Sequence, residues 1–538
     1  MLAVVLMLPG ISGALTSGEE HKDEAFTLGE IAERIGATEL YAQGITGDGV
    51  TVAVIDTGVA DVPGLDAPGK VIHGPDLSFE AFVPELYNRD SYGHGTVMAS
   101  IIAGNDAASG ESDDDAESDD EFESDDDEFE SDDDAGFRGI APNARILSMK
   151  VGDNSGSVDV TQVIAALDFV VQTKDETGVR VVNLAYRTDG GADPATDPLI
   201  AAVERAWNAG IVVVVSAGND GGQALGNPAL SPYVVAVAAY DEDSAWSTSY
   251  SSSGDSERTP DVTAPGSRVL ALASPGSRLV EENPTAFIDG RFMRGSGTSQ
   301  AAAVVSGAAA LLLEQNPSMT NDEVKAALML GADGDPAGTY WTLNKIQAKN
   351  LDASWSDDWT GSRIGPEKLS KTTGAGFLNI ARSAGLDVAG FVQSHPTSDN
   401  TGSLDDARGT TIAVFPDGTE LTGDMTFNGA TWTGGSWSGG SWSGATWTGG
   451  SWSGGSWSGA SWSGATWSGA SWSGATWTGG TWTGATWSGA SWSGGSWSGA
   501  TWTGGTWSGA SWSGASWSGA SWSGISWSGL SWTGISWD

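Results

Sequence analysis

Five short runs of the chain are apolar without polar alternation. They are Thr51-Val52-Ala53-Val54-Ile55, Arg145-Ile146-Leu147-Ser148-Met149-Lys150-Val151, Val179-Arg180-Val181-Val182-Asn183, Ile211-Val212-Val213-Val214-Val215 and Tyr233-Val234-Val235-Ala236-Val237. Runs of this length, rich in β-branched residues, predict strands buried on both faces. Helical spacing of apolar positions falls between them, over 161–174 and 197–209. Strand–helix alternation of this kind predicts an α/β fold, a parallel sheet with helices on both faces. A longer apolar stretch starts in small residues at Gly295-Ser296-Gly297-Thr298-Ser299-Gln300 and continues through Leu311-Leu312-Leu313. It predicts a buried helix that Asn316-Pro317 ends. Ser299 then sits at or near the helix N-terminus, where unpaired N–H groups and the dipole favour negative charge. Thr320-Asn321-Asp322-Glu323 ahead of Val324 reads as a capping box opening another helix. At the front of the chain, Met1 to Leu8 is apolar and Ser12-Gly13-Ala14 offers small residues for cleavage. Residues 1–14 thus read as a secretory signal without the usual basic start, followed by an N-terminal segment over 15–34; residues 15–45 as a whole are mixed and polar. No other stretch is long and apolar enough to span a bilayer.

Charge narrows the choice of partners. The net charge is −45, so nucleic acid and anionic membrane are poor partners. Much of it is concentrated in residues 111–134, where 17 of 24 residues are acidic. Charge of that density predicts a disordered surface insert. A calcium-binding reading of the insert is weaker than a solvated loop, because no glycine-turned ligand loop is visible. With no cysteine, disulfides, thiolate metal sites and cysteine nucleophiles are excluded.

A third kind of pattern fills residues 426–538. From Trp432 to Trp537 a tryptophan recurs every fifth residue, 22 of the chain's 27. The unit is Ser/Thr-Trp-Ser/Thr-Gly-Gly/Ala. A helix would scatter these indoles, and a flat strand would send successive ones to opposite faces. A coil with one unit per side keeps them equivalent, which predicts an all-β solenoid. The tract resembles the pentapeptide-repeat family, although that family carries Leu or Phe at the central place. Four units per turn would give a rod roughly 26 Å long. The rival reading is a flexible glycine–serine tract. Regular indoles could stack on sugars or on other chains, so the tract is a candidate cell-surface, glycan or self-association module.

Four chemistry-bearing residues stand at turning points of the α/β pattern. Asp56 ends the first apolar run, in Asp56-Thr57-Gly58. His94 lies in Gly93-His94-Gly95-Thr96, ahead of an apolar helix; His21, His73 and His395 lack that setting. Asn219 follows another run, in Ser216-Ala217-Gly218-Asn219. Strand ends of a parallel sheet are where ligands bind. Asp-Thr-Gly also marks aspartic proteases, but that chemistry needs a second such aspartate and no second Asp-Thr-Gly occurs. The order Asp, His, Asn, Ser is the subtilisin order. With Gly139-Ile140-Ala141-Pro142, Ala264-Pro265-Gly266, Gly297-Thr298-Ser299 and Gly374-Ala375-Gly376-Phe377 in sequence, the chain resembles the subtilisin-like serine peptidase (subtilase) family from about Ile35 to Ala384.

The resemblance implies a three-layer catalytic domain over 35–390 carrying the insert, a linker over 391–425, and the repeat. It implies Ser299 as nucleophile, His94 as base, Asp56 as orienter and Asn219 as oxyanion donor. Asn183-Leu184-Ala185-Tyr186-Arg187 would bind substrate and wall the primary pocket, with Arg187 where the family has glycine. Gln300 and Ala303 stand where it usually has Met and Pro, and Val97 where it often has a second His. The implied function is a secreted or cell-surface serine endopeptidase acting on polypeptides. No cofactor is needed for the chemistry, and structural calcium is left open. Too few residues precede Ile35 for the family's inhibitory prodomain, so the reading expects folding without one or a longer N-terminus. The alternative is a catalytically weak scaffold whose working part is the repeat.

Overall fold

In the computed structural model the described residues are 25–81, 83–108, 136–188, 190–222, 224–241, 246–255, 258–333, 370–409 and short segments between 431 and 537. The signal-like start and the acidic insert at 111–134 lie outside them. The chain divides into two compact units, Met1–Thr411 and Ile412–Asp538.

The first unit is built on an eight-stranded sheet. Its strands are β1 (Thr51–Asp56), β2 (Val71–His73), β3 (Arg145–Lys150), β4 (Val179–Leu184), β5 (Val212–Ser216), β6 (Val235–Asp241), β7 (Trp246–Ser247) and β8 (Val262–Pro265). The order is β2-β3-β1-β4-β5-β6-β7, with β8 also on β6. Every pairing is parallel except β6 with β7. Each predicted apolar run became a strand, and β1 and β5 are buried along their whole length. This is the continuous apolar signature of a sheet covered on both sides.

Two helix layers do the covering. On one side α3 (His94–Ala103) packs on α7 (Thr298–Gln315), which crosses β1, β4, β5, β6 and β8. On the other, α4 (Val160–Thr177) and α5 (Pro198–Asn208) pack together and on β1, β4 and β5. From Thr298 to Leu313, α7 is buried without interruption. A helix apolar all round belongs in an interior. It stops at Asn316, before Pro317. The predicted capping box is present: Thr320 Oγ1 accepts from Glu323 N at the start of α8 (Asn321–Gly331), and Glu323 reaches back to Thr320 N.

Several elements lay outside the sequence reading. Helices α1 (Leu28–Arg34) and α2 (Ala37–Tyr41) occupy the stretch read as mixed and polar, and α1 opens with a Thr27/Glu30 capping box. A small antiparallel sheet is formed by β9 (Val269–Leu272), β10 (Phe287–Ile288) and β11 (Phe292–Gly295), with the short helix α6 (Arg278–Glu282) between β9 and β10. The stretch read as a linker from 391 is packed against the unit as far as Gly409. There α10 (Leu404–Arg408), which follows α9 (Ile380–Ala384), ends in Arg408, whose Nε lies 2.7 Å from Asp159 Oδ2. Both residues are buried.

In the second unit, three-residue segments pair in parallel with those twenty residues on. Thr431–Thr433 pairs with Ser451–Ser453, with Trp432 opposite Trp452. The segments form four ladders of six, six, five and five strands.

Candidate active site

Asp56 closes β1 and His94 opens α3. His94 Nδ1 lies 2.8 Å from Asp56 Oδ1 and 2.9 Å from Oδ2, and both residues are buried. A carboxylate bound this way selects the tautomer with the proton on Nδ1 and leaves Nε2 as the basic nitrogen. Thr57 N donates to Asp56 Oδ1 at 2.8 Å.

The helix start is held by a residue that lies just ahead of the Gly93-His94-Gly95-Thr96 motif. Gly93 is the N-cap of α3 and has no side chain to offer. Asp90 supplies the cap instead. It accepts from Gly93 N at 2.7 Å, Thr96 N at 2.8 Å and Thr96 Oγ1 at 2.6 Å. It also accepts from Thr57 Oγ1 at 2.8 Å, and that hydroxyl accepts from Gly95 N at 2.9 Å. Asp90 and Thr57 thus fasten the end of β1 to the start of α3. The approach is too close for a side chain at position 95, where a Cβ would lie 2.1 Å from the carbonyl oxygen of Gly58. Burial raises the Asp90 pKa against the pull of these hydrogen bonds. For His94, burial favours the neutral ring. The charge and hydrogen bond of Asp56 and the charge of Asp90 outweigh it, so the pKa lies above the ordinary histidine value.

Ser299 is the second residue of α7, following the N-cap Gly297 and Thr298. Asn219 lies just beyond β5 and is partly exposed. Its Oδ1 accepts from Thr298 N at 2.9 Å and from Thr298 Oγ1 at 2.8 Å. Thr298 Oγ1 also accepts from Gly218 N at 3.2 Å. With the oxygen so committed, the amide nitrogen of Asn219 is turned to the Gly297 side. A Cβ on Gly297 would stand 3.1 Å from Asn219 Nδ2 and 2.8 Å from Gln300 Oε1. A carbonyl oxygen brought to that rim would find the Asn219 amide and, since the Thr298 N–H is taken by Asn219 Oδ1, the N–H groups that follow it in the first turn of α7.

Asp56 is therefore bound to His94, and Asn219 to the first turn of the Ser299 helix. His94 Nε2 is buried and makes no hydrogen bond, so the Ser299–His94 bond is not formed here. Catalytic hydrogen bonds are often long without substrate. Of the candidate substrate stretch, Asn183 and Leu184 end β4 in the interior, and Asn183 Oδ1 accepts from Ser306 Oγ of α7 at 2.9 Å. Ala185 and Tyr186 are also buried. Arg187 is partly exposed and pairs with Asp220, the neighbour of Asn219. His73 is exposed on β2. The sequence reading missed Asp90, Thr57 and Thr298 as supports. The available signal was Asp90 placed shortly before an apolar helix with a threonine among its first residues, a cap pattern with the cap moved back from a glycine.

Residues 47–376 match the Subtilase family. Serine protease AprX of Bacillus subtilis (strain 168) is 33% identical over 307 residues, 54% of this chain and 63% of that protein. Thermitase of Thermoactinomyces vulgaris is 32% identical, covering 56% of this chain and 88% of thermitase. Subtilisin Savinase of Lederbergia lenta is 30% identical, covering 54% of this chain and 86% of Savinase. The chain thus spans less than two thirds of AprX and most of the other two. The Asp–His pair at a strand end, the serine in the first turn of a buried helix and the asparagine beside it lie within the matched region, and the chain belongs to the subtilase family of serine-type endopeptidases.

Proposed function

We propose that this chain hydrolyses peptide bonds in polypeptides through an acyl-enzyme on Ser299. The observation that carries the reading is the two-oxygen contact of buried Asp56 with His94 Nδ1. It leaves one ring nitrogen free to work as a base. That nitrogen takes the Ser299 hydroxyl proton as Oγ bonds to the scissile carbonyl carbon. The carbonyl oxygen becomes an oxyanion, met by the Asn219 amide and the backbone N–H of Ser299. One such donor is worth ~3–4 kcal/mol of transition-state stabilisation in subtilisin. The C–N bond then breaks, and His94 passes the proton to the leaving amine. Water repeats the sequence to release the acid and restore Ser299.

The chemistry needs no metal or cofactor. Substrate lies against the stretch Ala185–Arg187, of which Arg187 is the partly exposed member, paired with Asp220 next to Asn219. The signal-like start supports action outside the cell. Among the described residues no helix is long and apolar enough to cross a membrane.

A fluorophosphonate probe tests the assignment, because it reacts with a serine only when that serine is activated. Stoichiometric labelling of the folded protein at Ser299 is expected. Absence of labelling would favour the second reading, a weak scaffold whose repeat does the work. The four parallel ladders and the five-residue period support a β-solenoid for the repeat, suited to a surface or to self-association. Limited digestion of the full chain should then leave an intact C-terminal fragment starting between 410 and 431. Rapid cleavage throughout the repeat would reject the coil.

A further inference from the structure

A buried cation lies beside the Asp56–His94 pair and takes no part in the chemistry above. Lys150 closes β3, with its Cα opposite that of Asp56. Its side chain is completely buried. The ammonium donates to Glu80 Oε2 at 2.6 Å, to the carbonyl of Arg89 at 2.6 Å and to the carbonyl of Leu86 at 2.9 Å. Asp76 Oδ2 stands 3.9 Å away. An ammonium has three protons, and here each has an acceptor.

All four oxygens come from one stretch, residues 76–89, which forms no helix or strand among the described residues. Away from the ammonium it is tied to its surroundings at its front, where Leu77 N donates to the Lys150 carbonyl at 2.8 Å, Gln162 Nε2 to the Leu77 carbonyl at 2.7 Å and Asn154 N to Glu80 Oε1 at 2.9 Å. Asn88, at φ 57°, donates its N–H to Asp76 Oδ2 at 2.9 Å, and Ser91 Oγ donates to Glu80 Oε2 at 2.6 Å. Two buried carboxylates and two inward carbonyls repel one another and are costly to desolvate unless a positive charge gathers them. Carboxylates and carbonyls are also the kinds of oxygen that a hard cation such as calcium takes, water completing its shell. The stretch runs straight into Asp90, whose carboxylate starts the His94 helix.

We propose that Lys150 is a positioning residue for Asp56 and His94. Its ammonium stands where a bound cation would stand. By gathering Glu80, Leu86 and Arg89 it fixes the segment that delivers Asp90 and His94 to the end of β1. The role rests on reading Asp56, His94 and Ser299 as the reacting group.

The test compares wild type, Lys150→Met and Lys150→Ala, each with and without millimolar calcium, by the rate of fluorophosphonate labelling and by melting temperature. Lys150→Met fills the cage and lacks the charge. It should unfold cooperatively and label about tenfold to a hundredfold more slowly, with or without calcium, the scale expected when reacting groups shift slightly. Lys150→Ala leaves the oxygen cage empty. It should be slow without calcium, and calcium should raise its melting temperature and restore most of its labelling rate. Wild-type rates in both variants would overturn the proposal, as would a Lys150→Ala protein indifferent to calcium. Folding of Lys150→Ala only with calcium supports it; folding under neither condition counts against it. If wild type itself does not label, the peptidase reading has failed, and the effect of calcium on melting of Lys150→Ala against Lys150→Met decides the cage alone.

Discussion

Ser299→Ala should abolish peptide hydrolysis while leaving the protein folded. Subtilisin loses roughly a millionfold in kcat when its nucleophile or its base is removed, and a loss on that scale is expected here. A residue of roughly 10³–10⁴-fold over the uncatalysed rate should survive, because the oxyanion donors and substrate binding are untouched. Ser299 sits in the first turn of α7, buried among small residues. Alanine is the best helix former and fits the space. The melting temperature should therefore stay near that of the wild type. Turnover of a peptide substrate and a thermal unfolding curve check both halves. Undiminished turnover in the variant would remove Ser299 from the mechanism.

Asp56→Asn should cost about 10⁴ in kcat, the effect known for an orienting aspartate whose replacement admits the wrong tautomer. The carboxylate oxygens at 2.8 and 2.9 Å from His94 Nδ1 accept a proton on that nitrogen. An asparagine presenting its NH₂ group there would instead put the ring proton on Nε2, where the base is needed. The pH profile carries a second signature. His94 works as a base when unprotonated, so activity rises as pH passes up through its pKa. Burial lowers that pKa, and the Asp56 charge, the Asp56 hydrogen bond and the Asp90 charge raise it above the ordinary value. Removing the Asp56 charge leaves burial opposed by Asp90 alone. The acidic limb of the residual activity should move to lower pH. A limb at the wild-type position would show that the aspartate charge does not reach the reacting imidazole.

The sheet could be read from the chain because its strands are buried on both sides and so leave unbroken apolar runs. Helix α7 could be read because it is apolar through more than four turns. The antiparallel strands β9 to β11 could not. They are two to four residues long, and Val269-Leu270-Ala271-Leu272 carries no alternation to distinguish it from a loop. Asp56, His94, Asn219 and Ser299 were legible from order and neighbours. Asp90 was harder, since its importance lies in four hydrogen bonds closed across the turn at Gly93 and the strand end at Thr57. Lys150 looked like one polar residue in an apolar strand, and only the path of residues 76–89 gives it acceptors. Arg187 was noticed as a departure, whereas its ion pair with Asp220 depends on two loops meeting.

The match to the Subtilase family stops at residue 376, but the physical boundary lies further on. Asp159 caps α4 through Thr161 N at 2.9 Å and has Arg408 as its counter-charge. A recombinant fragment terminated at 376, or at 390, would strand that carboxylate inside the protein without its guanidinium. An orphaned buried charge costs about 3–5 kcal/mol, a large share of what keeps a domain folded. Shortened versions intended for crystallisation or for industrial use should therefore retain the chain through Gly409.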